Sequence, residues 1–260
     1  MTATENNSIP RTGSMFNSGQ SCCAVERIYV HSTVYDQFIE EFATVAKGYK
    51  LGDARDKETN LGPVVSLASA ERIRKQVKEA IDAGARNLVE ETQFEKAQEG
   101  TTFVAPVVLV DVNHEMDVMM EEVCRLSSQA SSSGLEKLIR STFHFQTFGP
   151  VIGIQKVDTD EEALQLMNDS PYGLVSTVCS VFDELSVTDL FTSKTASVWT
   201  NIDNQDSADA FNMFSNELEA GTVFLNRCDC PDPALPWCGV KNSGRGVSLS
   251  TFGKYDESLD

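Results

Sequence analysis

Basic residues are scarce. Lys and Arg number 21 against 39 Asp and Glu, which gives a net charge of −18 and a pI near 4.5. A chain this acidic repels phosphate backbones and anionic lipid surfaces, which argues against nucleic-acid and membrane partners. No apolar run approaches the ~18 residues that a membrane span needs. Residues 1–15 (MTATENNSIPRTGSM) lack the apolar stretch of a secretory signal and read as a divergent polar leader. Histidine occurs three times, at His31, His114 and His144, and follows no metal-ligand pattern. A Gly-x-Gly-x-x-Gly turn opening a helix is also missing. Cysteine is not scarce. Seven thiols without a secretory signal, an odd count, read as reduced cysteines of a cytoplasmic protein rather than a disulfide framework.

What is present is an ordinary globular composition, 41% apolar and 23% charged. At 260 residues the chain is long enough for one large domain or two modest ones. Short apolar runs alternate with amphipathic segments. Arg27–His31, Leu88–Glu90, Val107–Val110, Val151–Ile154, Thr195–Trp199 and Thr222–Asn226 are predicted strands. The first is followed by a predicted helix carrying Val34, Phe38, Phe42 and Val45, capped by Ser32 or Thr33. Ser66 opens a second helix with Ala70, Ile73, Val77 and Ile81 on its apolar face, and Gly84 stands where a left-handed cap belongs. Asp158 to Glu161 reads as a capping box that turns Ala163, Leu164 and Met167 inward. Ala208, Phe211, Phe214 and Leu218 give a further helix. This alternation predicts an α/β fold, a mainly parallel sheet flanked by helices.

The sharpest chemical feature is Asn17-Ser-Gly-Gln-Ser-Cys-Cys-Ala-Val-Glu-Arg27. A cysteine after a Gly-containing turn can offer its sulfur to a pocket, and Gly19 permits close backbone approach. A thiolate attacks carbonyl carbon readily, but an unperturbed thiol of pKa ~8.5 is ionised by only a few per cent at neutral pH. On spacing alone, Cys22 and Cys23 also fit small buried hydrophobes.

This run resembles the active-site cysteine motif of the aldehyde dehydrogenase superfamily, a Gly-Gln pair, one residue, then the nucleophile, which falls at Cys22. Four further pieces follow in the family's order. They are Glu121-Glu122 with Thr147-Phe-Gly-Pro150, Asn168-Asp-Ser-Pro-Tyr-Gly-Leu174, Glu217-Leu-Glu-Ala-Gly-Thr-Val-Phe-Leu-Asn226, and Leu235-Pro-Trp-Cys-Gly-Val-Lys-Asn-Ser-Gly-Arg-Gly246. The resemblance implies a catalytic-domain-like region over residues 16–260. It implies that Cys22 adds to an aldehyde, that NAD or NADP takes the hydride, and that the resulting thioester is hydrolysed to a carboxylate. The backbone N–H of Cys22 is then an oxyanion donor, Glu122 binds the nicotinamide ribose, and Phe148 lies against the cofactor. The partner is a small-molecule aldehyde, and the complete family member is a homo-oligomer.

The sequence also departs from that pattern. The family's general-base glutamate, oxyanion asparagine and cofactor lysine precede the nucleophile, and they have no counterpart here. The 260 residues alone are therefore expected neither to bind the cofactor tightly nor to turn over. Two segments, 123–146 and 175–194, interrupt family motifs. Each begins with Val (codons GT…) and ends with Gln or Lys (codons …AG), as introns begin and end, so both are expected to be retained or mis-predicted introns of a eukaryotic gene, the alternative being genuine surface insertions. Cys228, Cys230 and Cys238 are too tightly spaced for zinc and read as a thiol-lined turn, so no metal is expected. Two rival functions remain: a non-catalytic, partner-binding pseudoenzyme, and a Cys-His hydrolase or acyltransferase. The latter requires His31, His114 or His144 beside Cys22.

Overall fold

The computed structural model describes residues 14–120, 148–180, 197–201, 207–225, 233–244 and 246–251. Its centre is a seven-stranded sheet. In chain order the strands are β1 (Arg27–His31), β2 (Arg86–Asn87), β3 (Val107–Val110), β4 (Val151–Val157), β5 (Tyr172–Gly173), β6 (Val175–Ser180), β7 (Ser197–Asn201) and β8 (Thr222–Leu225). The large sheet runs β2-β3-β4-β1-β7-β6-β8, with β5 outside it. All its pairings are parallel except β2 with β3. The described helices are α1 (Tyr35–Lys47), α2 (Leu67–Asp82), α3 (Asp117–Met120), α4 (Asp160–Asn168) and α5 (Ser207–Glu217). Three two-residue strands close the chain: β9 (Trp237–Cys238), β10 (Val240–Lys241) and β11 (Val247–Ser248). The predicted α/β class, with a mainly parallel sheet flanked by helices, is the fold observed.

The strands read as continuous apolar runs because both faces are covered. Ile28 and Val30 of β1 join Val108, Val110, Ile152 and Ile154 in one core beneath Phe38, Phe42 and Ala46 of α1. Tyr29, Val107, Leu109, Val157 and Val178 point the other way. They pack on Ala80 of α2, Met119 of α3, Leu164 and Met167 of α4, and Phe214 of α5. Alternate residues of one strand thus feed two cores. Ala163, Leu164 and Met167 are buried as predicted, while Ile81 at the end of the α2 stripe is 44% exposed.

Helix ends differ in detail from the sequence reading. Ser66 caps α2 by accepting from Ser69 N, and Gly84 takes a φ of +113° beyond its end. The cap of α4 is Thr159, which accepts from Glu162 N, while the Glu162 carboxylate accepts from Asp158 N, so the reciprocal pair sits one residue later than predicted. Neither Ser32 nor Thr33 caps α1. Val34 occupies that position without a side-chain bond, because Thr33 Oγ1 is engaged by His31 Nδ1 at 2.8 Å. The strand predicted at Leu88–Glu90 forms instead at Arg86–Asn87, where Asn87 Oδ1 accepts from Val89 N and Val108 N.

Two boundaries are corrected. Met15, placed in the polar leader, is fully buried in the core under α1, and Ser14 is buried with it. Segment 175–194 does not begin as an appendage. Val175–Ser180 is β6, hydrogen-bonded to β7 on one side and β8 on the other, with Val175, Val178 and Cys179 buried. Its β-branched residues suit an interior strand, and an aperiodic run is what burial on both faces produces. Residues 181–194, like 123–146, lie outside the described residues. Val178→Asp would place an unpaired carboxylate in the core between the sheet and helices α4 and α5, and it is expected to cost about 3 kcal/mol or more. Denaturant unfolding measures this, and a stability equal to the parent's would mean that β6 is dispensable.

Candidate active site

The segments that carry the sequence motifs meet along one edge of the sheet. Cys22 precedes β1, Phe148–Pro150 precede β4, Leu174 precedes β6 and Gly221 precedes β8. These four strands run parallel within the sheet, so all four approaches lie at its amino-terminal edge.

The cysteine loop has an unusual backbone. Asn17, Ser18 and Gly19 have φ of +51°, +57° and +72°. Left-handed conformation in a non-glycine residue costs ~1–3 kcal/mol. Side chains offset that cost. Asn17 Nδ2 donates to Gln20 O (3.0 Å) and Gln20 Nε2 donates back to Asn17 O (3.0 Å). Ser18 Oγ donates to Gly62 O (2.7 Å), and Gln20 Oε1 accepts from Val65 N (2.7 Å). The loop is therefore fastened to the irregular segment 62–65 that leads into Ser66 and α2.

Gly19 makes the decisive contact. A Cβ on it would overlap the carbonyl oxygen of Gly149, and one on Gly149 would stand 2.6 Å from Ile73 Cδ1. The cysteine loop, the Phe148-Gly-Pro turn and helix α2 are thus stacked without room for a methyl group. Phe148, half-buried, sits next to that contact. Glu121 and Glu122 lie outside the described residues.

Beyond the loop, Cys22 is exposed and Cys23 is buried. Ser21 Oγ lies 3.3 Å from Cys23 Sγ. Cys23 packs with Val175 and Phe224, and Leu174 and Trp237 lean on the same cluster. The inward neighbour anchors the loop while position 22 faces outward. The wall behind is built from the later motifs. Asn168 Nδ2 donates to Glu217 O (2.9 Å) and its Oδ1 accepts from Glu219 N (2.8 Å). Lys241 Nζ donates to Asn168 O (2.7 Å) and Ser170 O (3.0 Å), and pairs with Glu219. Ser243 Oγ accepts from Gly173 N (2.9 Å), and Gly221 N donates to Gly173 O (3.1 Å). Cys238 Sγ donates to Gly221 O (3.5 Å); Cys228 and Cys230 lie outside the described residues. Sequence spacing located these motifs but not their mutual bonds.

The histidines are placed elsewhere. His31 ends β1, the far end of the strand from Cys22, and bonds Thr33. His114 is held on both sides, Nε2 2.8 Å from Tyr29 Oη and Nδ1 2.8 Å from Asp169 Oδ2. His144 lies outside the described residues. Neither described imidazole is arranged as a base for Cys22. The Tyr29–His114–Asp169 chain was not legible from the sequence, since 55 residues separate His114 from Asp169.

An exposed cysteine thus follows a glycine-dependent loop at the amino-terminal end of a mainly parallel α/β sheet, where the dispersed motif segments converge. The sequence profile of the Aldehyde dehydrogenase family matches residues 8–125 and 140–202. The chain belongs to that family. The match starts within the supposed leader, breaks inside 123–146 and runs through 175–194 unbroken. A relative in Schizosaccharomyces pombe, described as a probable betaine aldehyde dehydrogenase, is 30% identical over 94% of this chain and 38% of its own length. The NAD+ complex of an aldehyde dehydrogenase from Bacillus cereus is 28% identical, with a TM-score of 0.68 over 93% of this chain and 38% of that one. A succinic semialdehyde dehydrogenase from Streptococcus pyogenes, in complex with NADP+, is 27% identical, with a TM-score of 0.67 over 94% and 43%. The chain therefore spans about two fifths of the length of these relatives.

Two outcomes test the geometry. Gly19→Ala is expected to lose about 2–4 kcal/mol, from left-handed strain plus the clash with Gly149, and a loss below ~1 kcal/mol in denaturant unfolding would contradict the packing. His114 gives a pH dependence. Burial holds its pKa below 6.5, against the raising pull of Asp169, and the Arg27 charge adds to the lowering. With Nδ1–H donating to Asp169 Oδ2, Nε2 of the neutral ring is left to accept the Tyr29 O–H. The folded state disfavours the proton that the unfolded chain accepts near 6.5, so stability is full above that value and falls as pH drops below it. The stability advantage over His114→Gln should shrink on acidification; a difference independent of pH would refute the link.

Proposed function

We propose that this chain supplies the nucleophile half of an NAD(P)+-dependent aldehyde dehydrogenase, oxidising an aldehyde to a carboxylic acid. The observation that carries the reading is the outward-facing Cys22 at the convergence of four motif segments, backed by buried Cys23.

In this reading the Cys22 thiolate adds to the aldehyde carbon and forms a C–S bond, giving a tetrahedral thiohemiacetal. The backbone N–H of Cys22 is the donor assigned to its oxyanion. Loss of hydride from that carbon leaves a thioester on Cys22. Water then cleaves the C–S bond, releasing the carboxylate and restoring the thiol. NAD(P)+, when bound, accepts the hydride. Half-buried Phe148, beside the Gly19–Gly149 contact, suits the nicotinamide end of such a cofactor.

The pyrophosphate end finds no match among the described residues. The first turn of α4 carries Asp160, Glu161 and Glu162, which repel phosphate, and Ser66 already satisfies the start of α2. Binding and turnover are therefore assigned to the family member as a whole, with the 260 residues alone able to form the covalent adduct but not to sustain the cycle. A homo-oligomeric assembly and a cytoplasmic setting belong to the same proposal. No described helix is long and apolar enough to cross a membrane.

Timed alkylation of the native chain with iodoacetamide, followed by peptide mass spectrometry, tests the assignment. Cys22 is expected to label at least about tenfold faster than buried Cys23 and Cys179, and Cys22→Ser to abolish fast labelling of the peptide ending at Arg27. Fast labelling of that peptide in Cys22→Ser would remove the nucleophile. Steady NAD+ reduction by the 260 residues with an aldehyde would overturn the division of labour.

A further inference from the structure

A second concave site lies away from the cysteine. Between α2 and the segment 98–107 is a cleft of about 540 Å³, within the range of small-molecule pockets. Ile73, Val77 and Ile81 form one wall, and Val104, Pro106 and Val107 the floor. The outer wall is fixed by Arg74, whose guanidinium donates to the carbonyls of Gln98 (2.9 Å), Thr101 (3.3 Å) and Phe103 (2.6 Å). That cation is consumed in shaping the cleft and by Glu91 at 3.4 Å.

The remaining polar groups are asymmetric. Lys75 and Lys78 line the cleft, and each is paired only with an exposed carboxylate one turn along α2, Glu79 at 3.5 Å and Asp82 at 2.6 Å. Such exposed pairs are weak and exchange readily. Asn87 lines the opposite side. Its Oδ1 is occupied by Val89 N and Val108 N, both at 3.1 Å, so its amide nitrogen is left as a donor. Glu99, exposed, is the one lining carboxylate without a cationic partner among the described residues. The apolar trough thus carries at its lip an uncommitted amide donor beside two lysines whose carboxylate partners are exposed and exchangeable.

We propose that this cleft binds aliphatic carboxylates, the hydrocarbon chain lying along Val77 and Ile81 and the carboxylate meeting Asn87 Nδ2 and the Lys78 ammonium. Apolar burial supplies the attraction, and the charge-assisted bonds fix polarity. The inference does not depend on the function assigned to Cys22.

Decanoate titrated into the 260-residue chain, followed by backbone amide NMR, tests it. Saturable shifts are expected at Ile81, Asn87 and Val104. Decan-1-ol, of equal chain length but uncharged, should bind about tenfold more weakly. Asn87→Asp keeps the Oδ1 acceptor that joins β2 to β3 and removes the donor, and Ile81→Glu charges an exposed wall position that tolerates it. Each should weaken decanoate by about tenfold or more, with unchanged far-UV circular dichroism. Alkylation of Cys22 should leave the affinity as it was. Equal binding of acid and alcohol, parent-like binding by both variants, or loss of binding on Cys22 alkylation would each overturn the proposal.

Discussion

There is no space for a side chain at position 19. A Cβ there would collide with the carbonyl of Gly149, and Gly149 in turn rests against Ile73 of α2. This stack ties three sequence-distant parts together: the cysteine loop, the turn before β4, and the helix over the sheet's edge. It also explains why the loop tolerates left-handed Asn17 and Ser18. That path brings the backbone onto Gly149 at Gly19, and Cys22 beyond it is exposed. The polar fastenings of Ser18 and Gln20 to Gly62 and Val65 hold the path in place.

The same edge collects the later motifs for a topological reason. In a parallel sheet, every strand's entry lies on one side, so segments preceding β1, β4, β6 and β8 become neighbours whatever their separation in sequence. Asn168 and Lys241 then lock the turn before β5 to the end of α5 and to the closing ribbon. Cys23 is the point where this wall and the cysteine loop share a core. The adjacent cysteines thus differ in placement, Cys23 buried in packing and Cys22 exposed.

Much of this was legible in the residues. Val107–Val110 announces a doubly covered strand, and Ala163, Leu164 and Met167 announce a buried helix face, because period and burial are local properties. The Gly-Gln-Ser-Cys run singled out Cys22 only through its resemblance to a family motif, since its spacing alone also fitted a buried thiol. What escaped were consequences of tertiary contact. Met15 reads as the tail of a polar leader but fills the core under α1. β6 reads as part of an aperiodic interruption, yet both its neighbours are strands far along the chain. Gly19 advertised backbone freedom without revealing Gly149 as the atom group it accommodates. His114 gave no sign of Tyr29 and Asp169, which only the meeting of β1 and the end of α4 supplies.

The account stands or falls on which sulfur carries the acyl group. In the protein given an activated ester as acyl donor, then quenched with acid, the peptide ending at Arg27 should gain one acyl mass, and fragmentation should place it on Cys22. An adduct on Cys23 or on a peptide outside the cysteine loop would contradict the assignment of an outward nucleophile and an inward anchor.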